Sequence, residues 1–208
     1  MNWKTKLIAV LIPLGLLTGT AAAAPEAVRI NAGLSLGSGF QVADNLVITA
    51  DHVVDGLLEN AVVVVTWETG EKTTATVAYK NSLKDTAVLR LQGEHPYKTQ
   101  TLECRTPIAG EKVLHIGNPY GLPFWKAEGR VSHGPKDFSS SIGRWPRGYY
   151  IDLTAGPGSS GGPVFSANGG VMGMVVGQLS ANPRIIIITP GADSCAAIEE
   201  YRKDLKRG

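Results

Sequence analysis

Three segments of the chain hold residue types that together can do nucleophilic chemistry. The first is Gly156-Pro157-Gly158-Ser159-Ser160-Gly161-Gly162-Pro163. A serine hydroxyl is a poor nucleophile at neutral pH and needs both a base and donors for the charge that builds on the attacked carbonyl. Glycines around a serine let the backbone turn sharply and aim N–H groups at one point. The backbone at Gly158, Ser159 and Ser160 is therefore the candidate oxyanion hole, with the N–H groups of Gly158 and Ser160 as its expected donors. The second segment, Val47-Ile48-Thr49-Ala50-Asp51-His52-Val53-Val54, ends an apolar run on His52, which can take the serine proton and pass it to a leaving group. The third, Lys84-Asp85-Thr86-Ala87-Val88-Leu89-Arg90-Leu91, puts Asp85 just ahead of an apolar run. From there a carboxylate can accept the second imidazole N–H and fix the tautomer. Taken singly, each has an ordinary structural role open to it: a glycine turn, a hydrogen-bonding histidine, a turn aspartate.

The elements around these segments read as short strands. β-Branched and apolar runs recur at Leu46–Thr49, Ala61–Trp67, Thr73–Tyr79, Ala87–Leu91, Lys112–Ile116, Tyr149–Leu153, Val171–Val176 and Arg184–Thr189. Turn signals separate them at Thr69-Gly70, Gly93, Gly117-Asn118-Pro119, Asn168-Gly169-Gly170 and Asn182-Pro183. With 25 glycines and 12 prolines in 208 residues and no long helical period, this predicts an all-β sandwich or barrel. One helix is expected at Ala196–Lys206. Asp193 or Ser194 would cap it, and Ile198, Tyr201 and Leu205 would form its buried face.

At 43% hydrophobic and 18% charged residues the chain can bury a core, which excludes a disordered charged tail. Its first 24 residues are laid out as a secretory signal: Lys4 and Lys6, an apolar stretch Leu7–Thr20 broken by Pro13 and Gly15, then Ala21–Ala24. A cut is expected after Ala23 or Ala24, with no stable membrane insertion afterwards, because the apolar stretch is too short to span. The product would be exported, to a periplasm or beyond the cell. Removing Lys4 and Lys6 from 20 basic residues leaves 18 against 18 acidic ones, so no nucleic acid or other polyanion is suggested as a partner. In an oxidising compartment Cys104 and Cys195 could pair, closing a loop of about 90 residues, or could remain two free buried thiols. No metal or cofactor site is expected, since His95, His115 and His133 lack ligand spacing with acids or cysteines. A boundary near Cys104–Gly110 would divide the mature chain into halves at 25–105 and 106–208.

Taken together, the order histidine, aspartate, serine resembles the trypsin-like (chymotrypsin-fold) serine peptidases, and among them the bacterial high-temperature-requirement type. Five pieces carry the likeness: Gly37-Ser38-Gly39-Phe40, Thr49-Ala50-Asp51-His52-Val53-Val54, Asp85-Thr86-Ala87-Val88-Leu89, Gly117-Asn118-Pro119-Tyr120-Gly121-Leu122 and Ser160-Gly161-Gly162-Pro163. They span roughly residues 33–190. The resemblance implies two six-stranded antiparallel β-barrels with a short C-terminal helix, His52 and Asp85 on the first barrel, Ser160 on the second and the active site between them. It implies a serine endopeptidase acting on a protein or peptide substrate through an acyl-enzyme. It also implies a bridge from the segment between barrels to the start of the helix, where Cys104 and Cys195 stand.

The sequence departs from the family pattern at two residues. Asp51 replaces a small residue before the histidine; it is expected to face solvent, the alternative being a second carboxylate on His52. Ser159 stands where digestive relatives carry the aspartate that receives a new N-terminus, so no such switch is expected. No PDZ-like module follows Pro190, and trimeric assembly is therefore not implied. For the primary specificity pocket the fold points to Thr154, Ala155 and Gly156 and to Met174, Val175 and Val176. These hold no carboxylate and predict uncharged small or aliphatic P1 side chains. The segments Pro123–Trp125 and Pro135–Arg147 are expected as loops bordering the cleft. Besides the peptidase, two other readings fit: a catalytically silent peptide-binding or assembly protein of the same fold, and an esterase-leaning hydrolase.

Overall fold

Among the described residues twelve strands close into two antiparallel barrels, followed by one helix. The structure is a computed structural model and describes residues 26–93, 95, 97–140 and 143–207; the expected signal segment lies outside them. The first barrel runs β1 (Val28–Ala32), β2 (Ser35–Ala43), β3 (Leu46–Thr49), β4 (Val62–Trp67), β5 (Lys72–Asn81) and β6 (Thr86–Leu91), closed in the order β1-β2-β3-β6-β5-β4. The second runs β7 (Lys112–Gly117), β8 (Trp125–Ser140), β9 (Gly143–Asp152), β10 (Pro163–Ser166), β11 (Val171–Leu179) and β12 (Asn182–Pro190), closed as β10-β11-β12-β9-β8-β7. Closure leaves neither sheet with an open edge.

The eight runs expected from β-branched composition fall on strands, apart from a residue or so at their ends. Of the strands that composition does not announce, β2, β8 and β10 carry several small residues or a proline. β2 carries Gly37, Ser38 and Gly39, and a Cβ added at Gly39 would stand 2.7 Å from the Ile48 carbonyl oxygen. Glycine there lets β2 lie close on β3. The expected loop Pro135–Arg147 is corrected: its described part belongs to the β8–β9 hairpin, whose pairing slips register between Val131 and His133, His133 and Lys136, and Lys136 and Phe138. Bulges break the two-residue alternation that marks a strand, so this hairpin reads as loop in the sequence.

The helix α1 covers Gly191–Asp204 and so begins five residues before the expected Ala196. Pro190 is its N-cap and Asp193 lies in its first turn rather than capping it. Gly191 fits the start because a Cβ there would stand 2.3 Å from the Glu103 carbonyl oxygen. Ala197, Ile198 and Tyr201 are buried, whereas Leu205 is exposed, contrary to the expected face. Tyr201 Oη accepts from Arg90 Nε at 2.9 Å, tying the helix to the first barrel. A single apolar cluster joins first-barrel residues such as Phe40, Ile48 and Leu89 to Phe165, Met174 and Val176 of the second and to the helix. The sulfurs of Cys104 and Cys195 stand at disulfide distance, with Cα atoms 5.7 Å apart. No helix among the described residues is long and apolar enough to cross a membrane.

Candidate active site

Register places the first two site residues. β3 pairs with β6 so that Thr49 faces Ala87. Three residues beyond Thr49 is His52, in a 3-10 turn over Asp51–Val54, and two before Ala87 is Asp85. Both therefore emerge at the same end of the same strand pair. His52 Nδ1 and Asp85 Oδ2 are 2.7 Å apart, and the His52 backbone N–H donates to Asp85 Oδ1 at 2.9 Å. Asp85 is buried and sits at φ 47°, a left-handed conformation that aspartate tolerates better than most residues.

Ser160 arrives from the second barrel, in the turn before β10. Gly156 to Ser159 form a β-turn closed by Ser159 N–H donating to the Gly156 carbonyl at 2.8 Å. Pro157 occupies its second position and Gly158, at φ 97°, its third, as a type II turn requires. The N–H groups of Gly158 and Ser160 donate to no acceptor among the described residues. Ser159 corrects the expected hole: its N–H is used inside the turn and its buried hydroxyl accepts from Gly156 N–H at 3.3 Å. His52, Gly158 and Ser160 line one cleft of about 380 Å³.

Some of the residues expected to form the pocket line this cleft and others do not. Ala155, Gly156 and Val175 line this cleft, joined by Gly177, Gln178 and Ile186. Met174 and Val176 do not: they are fully buried in the apolar cluster that runs through both barrels, while Val175 belongs to the second barrel's other cluster. Neighbouring residues of a strand face opposite sides, so a run of three cannot line one pocket. Thr154 is exposed and lies outside the lining. Among the described residues none of Pro123–Trp125 or Pro135–Arg147 lines the cleft, although the sequence expects these segments at its border. Asp152, the nearest acid in the sequence, pairs with Arg184 at 3.1 Å on the outside of the barrel. There Lys112, Glu128, Arg130 and other polar groups line a larger depression of about 640 Å³, away from His52 and Ser160.

Asp51 also corrects its expectation. It is buried, accepts from Ser82 Oγ at 2.6 Å and lies 3.7 Å from Lys80 Nζ. His115 is fully buried beneath the serine loop, 3.0 Å from the Pro163 carbonyl, and burial pushes its pKa down to about 4. His95 stacks on Trp67 and His133 on Tyr150. Among the described residues no group of three or more histidines, cysteines and acids is placed to hold a metal ion.

The family model described as a trypsin-like peptidase domain matches residues 37–174. The chain belongs to the trypsin-like peptidase family. This trypsin-like chain is 32% identical over 146 residues to a protein of Pseudomonas savastanoi pv. phaseolicola named probable periplasmic serine endoprotease DegP-like, covering 67% of the chain and 28% of that relative. It is 32% identical over 143 residues to the serine protease Do-like HtrB of Bacillus subtilis, covering 62% and 29%. The chain thus spans less than a third of the length of these curated relatives. Among solved structures, the serine endoprotease from Yersinia pestis superposes with a TM-score of 0.72 at 26% identity, covering 86% of this chain and 64% of that one. The active form of the Rv3671c protease from M. tuberculosis superposes with a TM-score of 0.74 at 23% identity, covering 96% and 92%, and shares the fold.

Ser38 and Asn118, which the sequence offers only as parts of family-like motifs, prove to be buried directly behind the serine loop. Gln178 and Ile186 carry no sequence signal for the cleft, since each lies in an apolar strand run or at its end.

Proposed function

We propose that this trypsin-like peptidase domain is a serine endopeptidase that cleaves protein or peptide substrates through an acyl-enzyme. A carboxylate only accepts hydrogen bonds, so the Asp85–His52 contact puts the proton on Nδ1 and leaves Nε2 as the base. Ser160 Oγ attacks the peptide carbonyl while His52 Nε2 takes its proton. The Gly158 and Ser160 N–H groups receive the oxyanion, a contribution of about 3–4 kcal/mol per donor in related chemistry. His52 then protonates the leaving amine, and water repeats the sequence to release the acid. Every proton and every new bond is accounted for by the substrate, water and these three side chains.

The observation that carries this reading is the two-point hold of Asp85 on His52 in the same cleft as Ser160 and two unclaimed N–H groups. Ala155, Val175 and Ile186 give the cleft an apolar wall without a carboxylate, which favours uncharged, small or aliphatic P1 side chains. The relatives named periplasmic, together with the signal-like first 24 residues, support export of the mature chain. The test is labelling of purified residues 25–208 by a fluorophosphonate probe, run beside hydrolysis of a denatured protein. Labelling and hydrolysis are expected in the wild type and neither in Ser160→Ala. A wild type that is folded and inert in both assays would be a silent binding protein.

A further inference from the structure

The N–H groups of Gly158 and Ser160 belong to the Pro157–Gly158 and Ser159–Ser160 peptides, so they face the cleft only while the Pro157 and Ser159 carbonyls face inward, because the C=O and N–H of one trans peptide point in opposite directions. Each carbonyl of the loop has its own donor. Gly156 O accepts from Ser159 N–H at 2.8 Å, Pro157 O from Tyr120 N–H at 2.6 Å and Ser159 O from Gly162 N–H at 2.9 Å. The remaining two are held by one residue of the first barrel. Ser38 Oγ donates to Gly158 O at 2.7 Å, and Ser38 N–H donates to Ser160 O at 2.8 Å.

The direction of the Ser38 hydroxyl is set by its other neighbours. Asn118 N–H donates to Ser38 Oγ at 3.0 Å and Asn118 Nδ2 donates to it at 2.9 Å. Asn118 Oδ1 accepts from Phe124 N–H at 3.1 Å, which fixes which end of the amide faces Ser38. Two donors occupy the hydroxyl's lone pairs, so its single proton has one destination, the Gly158 carbonyl. Ser38 and Asn118 are both fully buried, so no water competes for these bonds. The held peptide, Gly158–Ser159, lies between the two peptides that carry the hole's donors. Without that bond the peptide is held only by the Ser159 N–H to Gly156 carbonyl bond of the turn, and nothing draws the Gly158 carbonyl toward the protein.

Building on the peptidase assignment above, we propose that Ser38, oriented by Asn118, is a positioning residue that keeps the oxyanion hole formed from across the barrel interface. It does so in a chain that has a serine, not a carboxylate, at position 159. The hole is then set by the docking of one barrel on the other.

The test compares Ser38→Ala and Asn118→Ala with the wild type by steady-state kinetics, by affinity for a peptide boronate that forms a tetrahedral adduct on Ser160, and by thermal melting. In a Ser160→Ala background, binding of an uncleaved substrate peptide reports the ground state. In Ser38→Ala, kcat is expected to fall by about 10- to 100-fold, less than the roughly 10²–10³-fold cost of losing a hole donor outright. Boronate affinity should fall by a similar factor, while KM and ground-state peptide affinity stay within about threefold. Asn118→Ala keeps the hydroxyl but frees its direction and should shift the same quantities by a smaller factor. If either variant melts above the assay temperature yet keeps kcat and boronate affinity within about twofold, or loses ground-state binding instead, the positioning role is overturned. A wild type without Ser160-dependent turnover would overturn the peptidase assignment itself.

Discussion

Asp85 holds His52 at two points, one carboxylate oxygen 2.7 Å from imidazole Nδ1 and the other accepting the histidine's own backbone N–H at 2.9 Å. The first contact fixes the tautomer; the second fixes the turn from which the ring projects. Asp85→Asn would put an amide where a pure acceptor stands and favour the wrong tautomer. Its kcat/KM is expected to drop by about 10⁴-fold, as when a triad carboxylate becomes an amide elsewhere, with little change in fold by circular dichroism. Activity within about tenfold of the wild type would remove Asp85 from the mechanism.

The neighbouring carboxylate behaves differently. Asp51 faces Ser82 and Lys80, so Asp51→Ala should leave kcat/KM within about threefold. Its cost falls on stability instead and is modest: Ser82 is exposed, so its hydroxyl turns to water and the loss is that of one hydrogen bond, about 0.5–1.5 kcal/mol. Thermal melting and peptide hydrolysis of the same sample separate the two effects. A loss of turnover without a loss of melting temperature would make Asp51 part of the proton relay.

Much of this site is legible in the sequence because its parts are short and local. His52 and Asp85 each stand at the end of an apolar run, and strand pairing alone brings such ends together. Ser160 is marked by the glycines its turn needs. What the sequence hides is what depends on the facing of a strand or on a partner far along the chain. Val175 lines the cleft while Met174 and Val176 do not, and only the register of β11 decides which. The β8–β9 hairpin is concealed by its bulges, and the start of α1 by a proline and glycine that read as a turn. Ser38 and Asn118 lie 80 residues apart and meet only when the barrels dock.

The cleft lining predicts selectivity that can be measured directly. A panel of peptides varied at P1 should favour Ala, Val and Leu over Lys and Arg by about tenfold or more in kcat/KM, since a buried charge without a partner is costly. Val175→Phe should narrow the pocket and shift preference toward Ala, whereas Met174→Leu should leave the order of preference unchanged. Arg or Lys leading the panel would refute an apolar primary pocket.

Cys104 and Cys195 link the segment between barrels to α1 across a separation of 91 residues. Cross-linking a loop of that size restricts the unfolded chain by about 4–5 kcal/mol, an upper figure because native strain subtracts from it. Neither cysteine lines the cleft. Cys104→Ser/Cys195→Ser should therefore melt several degrees lower, as the wild type should under dithiothreitol, while kcat measured well below the melting temperature stays near wild type. Equal melting temperatures with and without reductant would show that the bond contributes nothing to stability.

His115 predicts how stability responds to acid. Burial holds its pKa near 4, against 6.5 for a free imidazole. Between those values the unfolded chain binds a proton at this site and the folded chain does not, so acid favours unfolding there. The penalty is absent above pH 6.5, grows as the pH falls, and is complete below about pH 4. At 1.36 kcal/mol per pKa unit it amounts to about 3 kcal/mol. The ring is closely packed. A Cβ at Gly162 would stand 2.6 Å from its Cε1, and one at Gly117 2.6 Å from its Nε2, so the serine turn and the end of β7 both close on the ring. His115→Gln, which removes the titration but keeps a polar side chain of comparable length, should melt with a shallower dependence on pH between 6.5 and 4. Parallel melting-temperature profiles for the two proteins across that interval would show that the histidine is not held neutral.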